Sequence, residues 1–205
     1  MKKLLYAITL LLSLGLACAQ AEAATDTDIS RVANTIYVKS VEANPGDEVT
    51  LSIQMKNTIT VTGYQVDIVL PEGLSFVTNG GYAEAYLSAK RLASTRSHTF
   101  DAEFQADGAL RLLCYSSKNI TFSGNDGEVA TVQIKVADKA SGNKSVQLKG
   151  IVLTDSQGKT VEATDVYFSV NVAGGAKYDS KYDINEDGKI DVQDVTFLVD
   201  YILDK

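Results

Sequence analysis

Val49-Thr50-Leu51-Ser52-Ile53-Gln54-Met55-Lys56 alternates an apolar with a polar side chain at every step. Successive side chains of an extended chain point to opposite faces, so this stretch reads as a half-buried strand. Val49, Leu51, Ile53 and Met55 face a core, and Thr50, Ser52, Gln54 and Lys56 face water. Working outward, the same period of two returns in Tyr64/Val66/Ile68/Leu70, Phe100/Ala102/Phe104, Val132/Ile134/Val136 and Val166/Phe168/Val170/Val172. Turn chemistry separates the runs: Asn44-Pro45-Gly46-Asp47, Pro71-Glu72-Gly73, Asp107-Gly108, Asn125-Asp126-Gly127, Ser141-Gly142-Asn143 and Asp155 to Gly158. Such a series of short strands predicts a mostly β fold, a β-sandwich. The apolar phase slips by one between Val146/Leu148 and Ile151/Leu153, which predicts a bulge at Gly150. Residues 83–92 show no such alternation and are expected to form a short helical crossover.

The N-terminus reads as an address. Lys2 and Lys3 precede an apolar run from Leu4 to Leu16, and small residues follow from Ala17 to Ala24. This is the pattern of a signal peptide over 1–23, cleaved after Ala21-Glu22-Ala23, and the run is too short to span a bilayer. The mature chain is expected to be secreted or at the cell surface, with no transmembrane helix. Cys18 raises lipid anchoring as a rival, but Gly15 stands three residues before it, where lipoprotein signals place leucine.

Cleavage removes Lys2, Lys3 and Glu22 and shifts the formal charge from −7 to −8. An acidic chain with no basic patch argues against nucleic acid as a partner. Cys114 would be the one cysteine left, so no internal disulfide can form. It lies in the run Leu110-Arg-Leu-Leu-Cys-Tyr115 and is expected to be buried and inert.

A second local signal lies near the C-terminus, in Asp183-Ile-Asn-Glu-Asp-Gly-Lys-Ile-Asp-Val-Gln-Asp194. Oxygen-bearing side chains fall at loop positions 1, 3, 5, 9 and 12, and Gly188 falls at position 6, as in an EF-hand calcium loop. Asp183, Asn185, Asp187, Asp191 and Asp194 would supply side-chain oxygens, and Lys189 its backbone carbonyl. Without a cation, four Asp residues would repel at about 4 kcal/mol per close pair at an effective dielectric near 20. Calcium, Ca²⁺, is therefore the expected metal. Position 12 is Asp194, where EF-hands usually carry the longer Glu.

Val195, Leu198, Val199 and Ile202 then follow at helical spacing, while Gly174 to Ser180 does not read as an incoming helix. The loop with Val195-Thr-Phe-Leu-Val-Asp-Tyr-Ile-Leu203 resembles one repeat of a type I dockerin. Dockerins are calcium-dependent plugs that fasten secreted glycan-degrading enzymes onto cohesin scaffolds. The family normally carries two repeats, and this sequence has one loop of this spacing. Recognition positions that often carry hydroxyls are Val192 and Gln193, and a position pair that is often basic is Val199-Asp200. Partner choice therefore does not carry over from the family.

The middle of the chain resembles a cohesin. Ile36 to Asn57 looks like a cohesin opening, and Gly63-Tyr-Gln-Val-Asp-Ile-Val-Leu-Pro-Glu-Gly-Leu74 looks like the strand and turn after it. Asp126 to Val136 resembles a late strand entered through glycine, and Gly150 to Val172 a final hairpin. The same fold family includes carbohydrate-binding modules.

The resemblance implies a cohesin-like, jelly-roll β-sandwich over 34–173, after an N-terminal linker at 24–33. A linker at 174–180 and a small α loop-helix dockerin repeat at 181–205 follow. No candidate catalytic set emerges: His98 is the only histidine and reads as a hydrogen-bonded surface residue. The expected function is non-catalytic assembly or adhesion around polysaccharide breakdown. The partner would be a cohesin- or dockerin-bearing protein, or a second copy held through Leu198 and Val199. The alternative is a carbohydrate-binding module. The chain has no Trp for a sugar platform, and Tyr82 and Tyr86 are the best candidates for an exposed aromatic pair on a glycan.

Overall fold

The computed structural model describes residues 26–174 and, beyond them, Thr196, Leu198, Val199, Ile202 and Leu203. Fourteen strands run in chain order: β1 (Thr35–Tyr37), β2 (Val41–Ala43), β3 (Glu48–Lys56), β4 (Val61–Val69), β5 (Leu74–Phe76), β6 (Thr78–Asn79) and β7 (Tyr82–Ala83). Then come β8 (Ala85–Leu87), β9 (Thr99–Phe104), β10 (Leu110–Tyr115), β11 (Asp126–Val136), β12 (Gly142–Asp155), β13 (Thr160–Glu162) and β14 (Val166–Val172). The smaller sheet has the order β1-β3-β11-β5, with β8 also on β11. The larger has the order β2-β14-β12-β4-β10-β9, with β13 on β12. Every pairing is antiparallel except β2 with β14, and β6–β7 is a separate hairpin.

The period-two residues become the core. Leu51, Ile53 and Met55 of the smaller sheet are fully buried, as are Val66, Ile68, Leu110 and Leu112 of the larger. Each such side chain contributes about 1.5–3 kcal/mol by leaving water. Tyr64 is buried with them, and so is Cys114, whose thiol burial pushes up to about 12. The bulge expected at Gly150 is present: the β12–β4 register shifts between Lys149 and Val152, and Gly150 takes φ 59°, a left-handed value glycine adopts without strain.

Residues 83–92 depart from the expected helical crossover. Ala85–Leu87 is a strand on β11, and only Ala89–Arg91 turns, as a single 3₁₀ turn capped by Ser88. The alternation was hidden by small residues at two of three inner positions: Ala83 and Ala85 pack on the core with Leu87. Arg91 then closes the turn. Its guanidinium is buried and donates to the carbonyls of Ser123 (2.6 Å), Met55 (2.7 Å) and Gly124 (2.6 Å) and to Asn57 Oδ1 (2.8 Å).

The segment expected as an N-terminal linker is tied down where it is described. Thr27 N–H donates to Tyr167 O at 2.9 Å, and Tyr167 N–H donates back to Thr27 Oγ1 at 2.8 Å. Asp26 accepts from Ser40 and Ser169, and Lys56 donates to Ile29 O at 3.0 Å. Residues 26–31 thus bridge the two sheets rather than trail from them. The signal segment 1–23, the linker 174–180 apart from Gly174, and the calcium loop 183–194 lie outside the described residues. No helix among the described residues is long and apolar enough to cross a membrane.

Candidate functional site

The outer face of the larger sheet carries a concave feature with apolar flanks that strand register builds. Tyr115 of β10 pairs with Gly63 of β4, and Gly63 pairs with Thr154 of β12. The neighbouring row runs Leu113, Gln65, Val152. Gly63 sits in the middle of a strand, where a glycine marks a close backbone approach. A Cβ there would lie 2.8 Å from Cys114 O and 3.2 Å from Tyr115 Cα. With no side chain at its centre, the face dips into a hollow of about 350 Å³. Leu113 and Tyr115 flank it, 37% and 44% exposed.

The rim is held in shape by its own hydrogen bonds. Asn119, at a positive φ of 58°, donates from Nδ2 to Ser156 O at 2.6 Å. Asp155 Oδ1 accepts from the backbone of Gln157 and Lys159, which fixes the turn beneath. Ser116 Oγ donates to Ser97 O at 2.8 Å and accepts from Ile120 N–H at 3.0 Å. The surface of the hollow is therefore preformed.

Charge is distributed unevenly around the hollow. On one flank Arg111 clamps Asp67 through two 2.7 Å bonds, and that carboxylate raises the guanidinium pKa. Lys149 pairs with Asp107 at 2.7 Å. These pairs neutralise their own charges. Asp101 and Glu103, on the outermost strand β9, have no ion-pair partner among the described residues. The free charge at that edge is negative.

Beneath the rim lies His98, which is not the surface residue expected. It is 8% exposed and its ring packs 4.3 Å from that of Phe122. Ser97 Oγ donates to Ser94 O and lies 2.8 Å from His98 Nδ1, and Nε2 is buried without a hydrogen-bond partner. Burial lowers the His98 pKa, against a smaller rise from the Ile120 backbone, so the ring is neutral near pH 7. With Cys114 fully buried as a thiol, neither residue is set up as a nucleophile or its base.

The sequence-predicted residues fall elsewhere. Asp183, Asn185, Asp187, Lys189, Asp191 and Asp194 lie outside the described residues. Leu198 and Val199 are helical and exposed. Tyr82 and Tyr86 are exposed, 78% and 56%, but belong to the hairpin and the smaller sheet, away from the hollow. The hollow itself was not anticipated. Its lone sequence signal was Gly63 inside an otherwise regular strand pattern, because Tyr115 and Thr154 meet it only through long-range pairing.

Comparison with known proteins places this geometry. Residues 35–172 match the model of the cohesin domain. A type I cohesin in a cohesin–dockerin complex from Clostridium thermocellum is similar, at 16% identity and TM-score 0.56, over 69% of this chain and 99% of that one. A non-cellulosomal cohesin from the archaeon Archaeoglobus fulgidus aligns at 17% identity and TM-score 0.51, over 76% of this chain and 99% of that one. The cohesin module of a family 33 glycoside hydrolase from Clostridium perfringens aligns at 12% identity and TM-score 0.54, over 69% and 97%. No curated protein matches the chain. With the domain model covering most of its length, the chain belongs to the cohesin family.

Proposed function

We propose that this protein is a secreted, non-catalytic assembly module that captures a dockerin-bearing protein on the outer face of its larger sheet. The observation that carries this is the Gly63 hollow between Leu113 and Tyr115, preformed and apolar on an otherwise polar face. Cohesin domains are protein-interaction modules, and solved neighbours of this fold are described as cohesin–dockerin complexes. A bulky apolar side chain from a partner helix fills the hollow, and a basic residue of the partner meets Asp101 and Glu103.

The C-terminal segment gives the module a second point of attachment. Asp183, Asn185, Asp187, Lys189, Asp191 and Asp194 hold one Ca²⁺, which orders the loop and the helical residues after it. The signal segment delivers the chain to the cell surface or beyond, where it supports polysaccharide-degrading complexes. A heterologous partner fits better than a second copy. This chain's own tail carries Asp200 and Asp204 outside the calcium loop, like charges for the Asp101/Glu103 edge.

Calorimetric titration of purified dockerin modules from the same organism into the full chain, with calcium present, tests the reading. Saturable one-to-one binding by at least one of them supports it. No heat with any, together with a concentration-dependent dimer in ultracentrifugation, would replace the heterologous partner by a second copy.

A further inference from the structure

The opposite face of the molecule has a different chemistry. Across the outer side of the smaller sheet, register sets Ser52 beside Thr131 and Thr131 beside Tyr86. Thr50 pairs with Gln133 one row along, and Gln54 donates to Ser52 Oγ at 2.6 Å. The centre of this face is therefore hydroxyl and amide. Water-facing sheet positions more commonly interleave charges. The carboxylate beside Ser52, that of Glu128, is occupied by the hydroxyls of Ser52 and Ser88 and by Lys90 at 3.0 Å.

Two aromatic rings border this carpet. The alternate residues Ala83, Ala85 and Leu87 pack against the core, which leaves Tyr82, Glu84 and Tyr86 on the water side, with Glu84 O accepting from Gln133 N–H at 2.9 Å. They are the two most exposed aromatic residues among those described, at 78% and 56%. Tyr82 is carried on the β6–β7 hairpin, whose Gly80 and Gly81 take positive φ values of 58° and 87°.

We propose that this face binds a neutral polysaccharide chain, with Tyr86 stacked on a sugar ring and Ser52, Gln54, Thr131 and Gln133 bonded to its hydroxyls. A pyranose offers an apolar C–H face and a rim of groups that both donate and accept. A tyrosine ring matches the first, and hydroxyls and amides, which also do both, match the second. Charge excludes acidic polymers: the chain is net −7, and the lysines on this face are engaged, Lys90 by Glu128, Lys135 by Glu48 and Lys56 by the carbonyls of Ile29 and Ser30. The site lies on the sheet opposite the Gly63 hollow, so a glycan and a protein partner can be held at once. The inference stands independently of the dockerin reading.

Affinity electrophoresis of the full chain through gels containing xylan, mixed-linkage β-glucan, galactomannan or starch tests it. At least one polymer should retard the protein. Tyr86→Ala should weaken that retardation about tenfold or more, and Leu113→Asp should leave it unchanged. Tyr86 is exposed, so the variant's melting temperature should match the parent and exclude misfolding. Free migration through all four polymers, or retention by Tyr82→Ala/Tyr86→Ala equal to the parent, would overturn the proposal.

Discussion

At the scale of single residues, three positions govern the site and its support. Gly63 is fixed by the backbone of β10: a methyl group 2.8 Å from Cys114 O cannot be absorbed by a flexible side chain. Gly63→Ala is expected to cost about 1–3 kcal/mol, as overpacking does, read as a lower urea midpoint at unchanged slope. Arg91 holds three carbonyls and Asn57 without a carboxylate in direct contact. Arg91→Met leaves those acceptors unpaired, and a loss of about 3 kcal/mol or more is expected, since bonds to charged groups run to about 1.5–3 kcal/mol each. His98 makes stability depend on pH. Its folded pKa is depressed below the ordinary value of about 6.5, so the unfolded chain binds the proton first. Its contribution is complete above about 6.5 and declines as pH falls from there toward the folded pKa. Chemical denaturation between pH 7 and 5 should show a steeper decline in the parent than in His98→Asn. Equal slopes would mean that the ring is not held neutral. The burial of His98 could not be read from its neighbours Thr99 and Phe100, because the ring that covers it, Phe122, lies far along the chain.

At the scale of elements, legibility followed side-chain size. The long strands β3, β4, β11 and β14 announced themselves because large apolar residues alternate with polar ones, and one face of each is buried. β8 hid because it is three residues long and one of its two inner positions is an alanine, Ala85, although its pairing with β11 is regular. The Gly150 bulge was readable as a slip in phase, whereas the shift between Glu128 and Ala130 gave no such warning. The proposed calcium loop is the opposite case: the order of its oxygens matches the spacing that calcium needs, yet the loop lies outside the described residues. One Ca²⁺ is expected per chain, with sub-millimolar or tighter affinity, because extracellular modules bind at about 10⁻⁴–10⁻³ M and the loop's four Asp carboxylates should tighten that. Calorimetry should show that heat abolished or greatly weakened in Asp187→Ala, and unchanged heat would remove the loop from consideration as the metal site. Chelation should expose the chain after about Lys181 to protease while leaving the sandwich resistant. A short isolated helix is marginal in water, whereas the sandwich has its own core.

At the scale of the whole molecule, the two sheets divide the labour. Both spend their inner faces on one core, and their outer faces differ: a hollow with apolar flanks on the larger sheet, a surface with hydroxyls and amides at its centre, bordered by tyrosines, on the smaller. The sandwich was legible because period two and turn spacing are local signals. The hollow was not, because β4, β10 and β12 come together from distant parts of the chain. Partner capture on the larger sheet is tested most directly by titrating one dockerin that binds the parent into two variants in parallel. Leu113→Asp places a charge at the edge of the hollow, and Tyr86→Ala alters only the other face. Affinity for the dockerin should fall at least about a hundredfold in Leu113→Asp, near 2.7 kcal/mol, and stay within about twofold of the parent in Tyr86→Ala. Parent-like affinity in a folded Leu113→Asp, with loss in Tyr86→Ala, would contradict it and move the partner to the smaller sheet.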